Sequence, residues 1–241
     1  MPPHCTALLV AAGSGTRMGF DKLLAPLGGQ TVLQRSLNAL LENDAIHSIV
    51  IVCPPDRWNT LHIPTSGKPV TRADGGALRH DSVTNGLAAA PPEATLIAIH
   101  DAARPLVSQA DLTRVLSAAL GTGAASLAHH ITDTLKRADQ NHFISDSVSR
   151  DHLWGMQTPQ VFSRSSLEAA ISLTRITGHE FTDEASILQS TGHPVLLVES
   201  LHPNPKITTP ADHTHATAHM NIQYKITTDM TKVHTCPTII S

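Results

Sequence analysis

Aromatic residues are scarce in this chain: two Trp, one Tyr and four Phe among 241 residues, or 3%. Trp58 and Trp154 are accordingly read as packing residues rather than as platforms for stacked bases. Long apolar runs are missing too. None approaches the roughly 18 to 20 residues that a membrane span needs, and the apolar stretch from Ala7 to Ala12 is too short for the core of a signal peptide. A surplus of either charge is absent: 17 Lys and Arg stand against 20 Asp and Glu, a net charge of −3. That balance gives no basic footprint for nucleic acid or an anionic membrane. Cysteines are three, Cys5, Cys53 and Cys236. Their odd number and wide spacing argue against a disulfide framework and a zinc knuckle. A cytoplasmic protein with no nucleic-acid or membrane partner is the expectation.

What is present is enough for a sizeable core. Hydrophobic residues make up 41% and charged residues 15%, and 241 residues suit one large domain with a small appendage. Short, almost unbroken apolar runs alternate with helical spacing. Thr6 to Ala11, Ser48 to Cys53 and Thr95 to His100 read as strands buried on both faces. Val70 to Ala73, Ala124 to Ala128 and Val195 to Glu199 are further strands. Helices are expected over Thr31 to Asn43, Ser82 to Ala90, Leu112 to Leu120, Ser165 to Thr174 and Asp183 to Gln189, with another starting at Thr209-Pro210-Ala211-Asp212. Such alternation predicts an α/β fold, a mostly parallel sheet with helices on both faces. Residues Thr132 to Val148 interrupt the pattern and read as an extended arm or hairpin. From Met220 to Ser241 no period is visible, and the segment reads as a tail or linker.

Ligands of parallel sheets sit at the carboxyl ends of strands. Two conspicuous loops fall there. After the first strand comes Ala11-Ala-Gly-Ser-Gly-Thr-Arg-Met-Gly19, with Lys22 close behind. Glycines let backbone N–H groups converge on phosphate, and Arg17 and Lys22 add fixed positive charge that could neutralise a triphosphate. The loop is not a P-loop, which needs four residues between its glycines and then Gly-Lys-Ser/Thr. Nor is it the dinucleotide fingerprint, because Gly19 arrives one place late. After TLIAIH comes His100-Asp101-Ala-Ala-Arg104-Pro105, whose acid and base could bind a ribose, a metal ion or a phosphate. Gly75-Gly76-Ala77-Leu78-Arg79-His80-Asp81-Ser82 precedes a helix, and its glycines could bring backbone up to a base edge. Each segment alone also fits a plain loop.

Together, AAGSGTRMG with its lysine, GGALRHDSV and HDAARP resemble the 2-C-methyl-D-erythritol 4-phosphate cytidylyltransferase family. Further matches are Asp133-Thr-Leu-Lys-Arg137, Arg150, Thr158-Pro-Gln160, Thr182-Asp-Glu-Ala-Ser186 and Lys206, so the resemblance runs from about Thr6 to His219. It implies a Rossmann-like nucleotidyltransferase fold with a dimerisation arm at 132–148 and a homodimer that exchanges arms. It also implies transfer of a cytidylyl group from CTP to the polyol phosphate, with Mg²⁺ bridging the triphosphate and no metal ligand set on the protein. Arg17, Lys22, Arg150 and Lys206 match the reaction cations. Ala11, Ala12, Gly13, Ser14, Gly15, Gly76, Ser82, Asp101 and Ala102 match the nucleotide side. Arg104, Thr134, Arg150, Thr158 and Lys206 match the polyol-phosphate side, Thr134 and Arg150 acting across the dimer.

The chain departs from the family at several places. Asp21 stands where members often carry proline; beside Lys22, it could tie up that cation. Ala77 replaces an acid found in some members. Some relatives are fused to a cyclodiphosphate synthase, for which the segment after Met220 is too short. His100 is expected to brace its turn rather than to transfer protons. His215 and His219, four apart, have no further ligand to complete a metal site. A glycosyltransferase of similar fold would need Asp-x-Asp, which does not occur.

Overall fold

A computed structural model describes residues 3–13, 19–65, 67–177 and 181–233, with backbone alone at 174–177 and 223–233. In chain order the elements are β1 (Cys5–Val10), β2 (Pro26–Leu27), β3 (Gln30–Thr31), α1 (Val32–Leu41), β4 (Ser48–Val52), α2 (Pro55–Trp58), β5 (Val70–Ala73), α3 (Arg79–Ala89), β6 (Leu96–Asp101), α4 (Gln109–Thr122), β7 (Ala124–His130), β8 (Leu135–Ala138), β9 (Ile144–Val148), β10 (Trp154–Ser163), α5 (Arg164–Thr177), α6 (Glu184–Ser190), β11 (Leu196–Glu199) and α7 (Pro210–Val233). A seven-stranded sheet has the order β11-β7-β10-β6-β1-β4-β5. Every pairing in it is parallel except those of β10, which runs antiparallel to both β6 and β7.

The unbroken apolar runs of β1, β4 and β6 follow from cover on both faces. Leu9 belongs to an apolar cluster with Leu33, Leu37, Leu40, Leu112 and Val115 on one side. Its neighbour Leu8 belongs to the opposite cluster, with Val83, Leu87, Phe162, Leu167 and Leu188. Alternate side chains of one strand thus enter two different cores, and neither face is left to water. Local chemistry sets the helix starts. The Thr31 side chain accepts the Gln34 N–H at the head of α1, and Ser108 accepts the Asp111 N–H at the head of α4.

β10 is the element that sequence pattern does not reveal. Its TPQ segment is polar and carries a proline, which ordinarily argues against a central strand. The pairing register to β7 shifts between Met156 and Gln160, so Pro159 sits where the ladder is already broken and no N–H is required. The expected arm is a separate two-stranded hairpin, β8 with β9, and it exposes Phe143 and Ile144 at 73% and 70%. The change of composition at Met220 is not a structural break, because α7 continues through it to Val233. Residues 234–241, Cys236 among them, lie outside the described residues. Cys5 and Cys53 are buried free thiols, pushed up by burial to about 12 and about 11. Among the described residues no helix is long and apolar enough to cross a membrane.

Candidate active site

The chain crosses from one side of β1 to the other between β5 and β6, so the crevice at the carboxyl ends of β1 and β6 is the natural ligand position. A cleft of about 500 Å³ opens there among the described residues, lined by Ala11, Ala12, Gly13, Lys22, Gly76, Ser82, Asp101 and Lys206, among others. Ser14, Gly15 and Arg17 lie outside the described residues. The glycine pair on the opposite wall is there for space. A Cβ on Gly75 would stand 2.4 Å from that of Ala12, and one on Gly76 would stand 2.1 Å from that of Asp81. Ser82 is buried, donates to the Leu78 carbonyl at 3.2 Å and accepts the Gly76 N–H at 3.0 Å. Its hydroxyl therefore holds the glycine turn in shape.

Asp101, the last residue of β6, is the electrostatic centre. Oδ2 accepts from Lys206 Nζ at 2.7 Å, and Oδ1 accepts from Arg79 Nε and Nη2 at 3.3 Å each. Burial would raise this carboxyl, but Arg79, Lys206 and Arg104 outweigh it and hold the pKa at about 2. Arg79 also donates from Nη1 to Glu184 Oε2 at 2.5 Å. Burial acts to discharge Arg79, and the carboxylates of Glu184 and Asp101 reverse that and raise it. Lys22 donates to the Ile207 carbonyl at 2.8 Å. Segment 204–208 thus carries one lysine of the cleft and holds the other. Asp21 does not spend its outer oxygen on its neighbour: Oδ2 accepts from Arg57 Nε at 2.7 Å.

Behind Asp101 a buried chain of hydrogen bonds fixes the turn. The Asp101 N–H donates to Thr158 Oγ1 at 3.1 Å, and that hydroxyl lies 3.1 Å from His100 Nδ1. His100 Nε2 lies 3.1 Å from the Arg104 carbonyl, which can only accept. Nε2 therefore carries the proton, and Nδ1 accepts from Thr158. Burial lowers the His100 pKa to about 4. His100 braces the turn, as its place in the sequence suggested.

A second cleft, of about 250 Å³, shares a wall with the first. Arg79, Asp101 and Lys206 line both, and Arg104, Thr158, Gln157 and Asp183 line the second. Arg104 donates from Nη1 to the Asn204 carbonyl at 2.7 Å, while Asn204 Nδ2 donates to the Thr158 carbonyl at 2.8 Å.

Other expected site residues lie elsewhere in the single chain. Thr134 and Arg150 are exposed, at the start of the hairpin and just beyond it, and neither lines a cleft. Arg150 donates to the Thr132 carbonyl. Ala102 lies behind the cleft wall. It is fully buried, its N–H donates to the Val10 carbonyl and its carbonyl accepts from Ser36, so its backbone shapes the turn after β6. Sequence reasoning gave no role to Arg57, Arg79, Glu184 or Asn204. Arg79 and Glu184 stood inside quoted motifs, GGALRHDSV and TDEAS; Arg57 and Asn204 carried no local signal.

Two polar, cation-bearing clefts with a common wall suit a group transfer between two phosphate-bearing molecules, which is what a nucleotidyltransferase requires. Comparison with known proteins makes the assignment particular. The family described as "IspD: 2-C-methyl-D-erythritol 4-phosphate cytidylyltransferase" matches residues 5–222. The enzyme of that name from Prochlorococcus marinus is 40% identical over 215 residues, which are 88% of this chain and 96% of that one. The crystal structure of the Thermus thermophilus cytidylyltransferase superposes with a TM-score of 0.75 at 33% identity, covering 89% of this chain and 98% of that one. The 4-diphosphocytidyl-2C-methyl-D-erythritol synthase of Anaerococcus prevotii gives 0.80 at 25% identity, covering 91% and 96%. The chain belongs to the 2-C-methyl-D-erythritol 4-phosphate cytidylyltransferase family, nucleotidyltransferases of the non-mevalonate isoprenoid pathway.

Proposed function

We propose that the first cleft takes CTP, the second takes 2-C-methyl-D-erythritol 4-phosphate, and the shared wall is where they react. The observation that carries this reading is that Lys206, Arg79 and Asp101 line both clefts at once. A phosphate oxygen of the polyol ester attacks the α-phosphorus of CTP. The new P–O bond forms as the bond to pyrophosphate breaks, in line and without a covalent enzyme intermediate. The attacking phosphate is already largely ionised near neutral pH, so no general base is needed. The work left to the protein is alignment and charge stabilisation.

Lys22, with Arg17, neutralises charge that grows on the α-phosphorus. Lys206 and Arg104 direct the incoming phosphate, and Thr158 keeps the wall between the clefts in register. Ala11, Ala12, Gly13, Ser14, Gly15, Gly76 and Ser82 form the nucleotide cradle. Among the described residues no three His, Cys, Asp or Glu side chains gather to cage a metal. Asp101, the carboxylate of the first cleft, already pairs with Lys206 and Arg79, which fits an ion held chiefly by phosphate oxygens and water. Mg²⁺ bound there would withdraw charge from the triphosphate.

Thr134 and Arg150 belong, in this reading, to the pocket of a second copy. Their exposure and their absence from both clefts of their own chain support a homodimer with exchanged arms. Pyrophosphate release with CTP and a panel of polyol phosphates tests the assignment. Fastest turnover is expected with 2-C-methyl-D-erythritol 4-phosphate, and faster turnover with ribitol 5-phosphate would refute it. Arg150→Ala and Lys22→Ala chains, mixed under conditions where subunits exchange, should recover activity that neither has alone. No recovery would refute the exchange.

A further inference from the structure

We propose that Arg57 and Asp21 form a strap between the end of β1 and the turn that carries Lys22, and that this strap sets the position of Lys22. This inference rests on the proposed role of Lys22. Arg57 comes from the short helix α2, beyond β4, and its side chain is only 6% exposed. A guanidinium so placed must be matched by acceptors. It finds two, one on each flank of segment 12–20. Nη1 donates to the carbonyl of Ala11, the residue where the chain leaves β1. Nε donates to Asp21 Oδ2 at 2.7 Å, where the chain returns. One planar group therefore ties Ala11 to Asp21.

Asp21 passes this restraint to its neighbour. Its Oδ1 accepts the Leu23 N–H at 3.0 Å, and its backbone carbonyl accepts the Leu24 N–H at 3.1 Å. Asp21 thus supplies two anchors of the turn that carries Lys22, whose ammonium is held at its far end by the Ile207 carbonyl. Ala11 is fixed from its other side as well, since its N–H donates to the Val52 carbonyl at 2.8 Å. The strap therefore refers Lys22 back to the rigid centre of the sheet. The acid beside Lys22 is in this way a positioning residue for the cation. Arg57 is a second one, and neither is a catalytic residue.

Asp21→Asn keeps an acceptor for Leu23 and removes the charge that holds Arg57. Misplacing a reacting group by about 1 Å can cost on the order of a hundredfold. Steady-state kinetics of the full-length Asp21→Asn protein, with folding checked by thermal melting, should show kcat lowered about ten- to a hundredfold. KM for the polyol phosphate should stay within about twofold, because the second cleft is untouched. Arg57→Lys keeps the charge but loses the two-armed reach. It should show the same split, and it serves as the test should Asp21→Asn not fold. In a Lys22→Ala background, Asp21→Asn should lower kcat no further, since the strap acts through Lys22.

A folded Asp21→Asn enzyme with kcat within about twofold of the parent would overturn the strap, as would an equal loss with and without Lys22. The underlying reading fails separately. If Lys22→Ala alone leaves kcat unaltered, the role of Lys22 falls and takes the strap with it. If Lys22→Ala is impaired and Asp21→Asn is not, the strap alone falls.

Discussion

Acid should cost this protein stability through one histidine. His100 is fully buried. Its Nε2–H is spent on the Arg104 carbonyl, and its Nδ1 accepts from Thr158. Protonating Nδ1 would place a charge where there is no water and leave the Thr158 hydroxyl without its acceptor. The pKa falls accordingly, from 6.5 to about 4, with burial as the main cause. A base whose folded pKa is depressed binds its proton more readily when the chain is unfolded, so acid favours unfolding. The loss begins as pH drops below 6.5 and is complete near pH 4, where the folded state also takes up the proton. Its size, at about 1.4 kcal/mol per tenfold change in the proton equilibrium, is about 3 kcal/mol. Urea unfolding of the parent and of His100→Asn at pH 7.5, 5.5 and 4.5 measures it. The difference between the two proteins cancels the other fifteen histidines. The parent should lose about 2.5 kcal/mol more than the variant between the first pH and the last. Parallel curves would refute the reasoning, as would an NMR titration placing His100 above pH 6.

Lys22→Ala should lower kcat by an amount equivalent to about 2 to 4 kcal/mol, with a much smaller effect on CTP binding, because its contribution grows at the transition state. Single-turnover kinetics beside CTP titrations will read both. Lys206→Gln should chiefly raise KM for the polyol phosphate in steady-state assays, with a further loss of kcat if Lys206 also aligns the attack. Gly86→Ala should destabilise the fold by about 1 to 3 kcal/mol in thermal melts. A Cβ there would stand 2.7 Å from Val52 Cγ2, on a β-branched side chain with little room to turn. Gly76→Ala should abolish the shape of the nucleotide wall, since the added carbon overlaps Asp81. Weakened CTP binding in calorimetry together with a lowered melting temperature is expected.

Much of the frame was legible in the chain itself. The doubly buried strands declare themselves as short apolar runs, because each alternate residue enters a core and no polar face is needed. The helix expected from Thr31 starts there by a cap that reaches only three residues, whereas α4 starts at Gln109, ahead of its expected start at Leu112. The glycine loop and HDAARP announce a ligand edge, since they follow such runs directly. Tertiary structure decided the rest. β10 is central because the register shift beside Pro159 makes a proline acceptable there, and no local pattern reports a neighbour's register. α7 runs past Met220 although the composition changes. Arg57 meets Asp21 across 36 positions, and Arg79 meets Glu184 across 105. Periodicity is a property of adjacent residues, whereas these ion pairs exist only once the sheet has brought distant loops to one edge, and that closing is what turns scattered charges into a site.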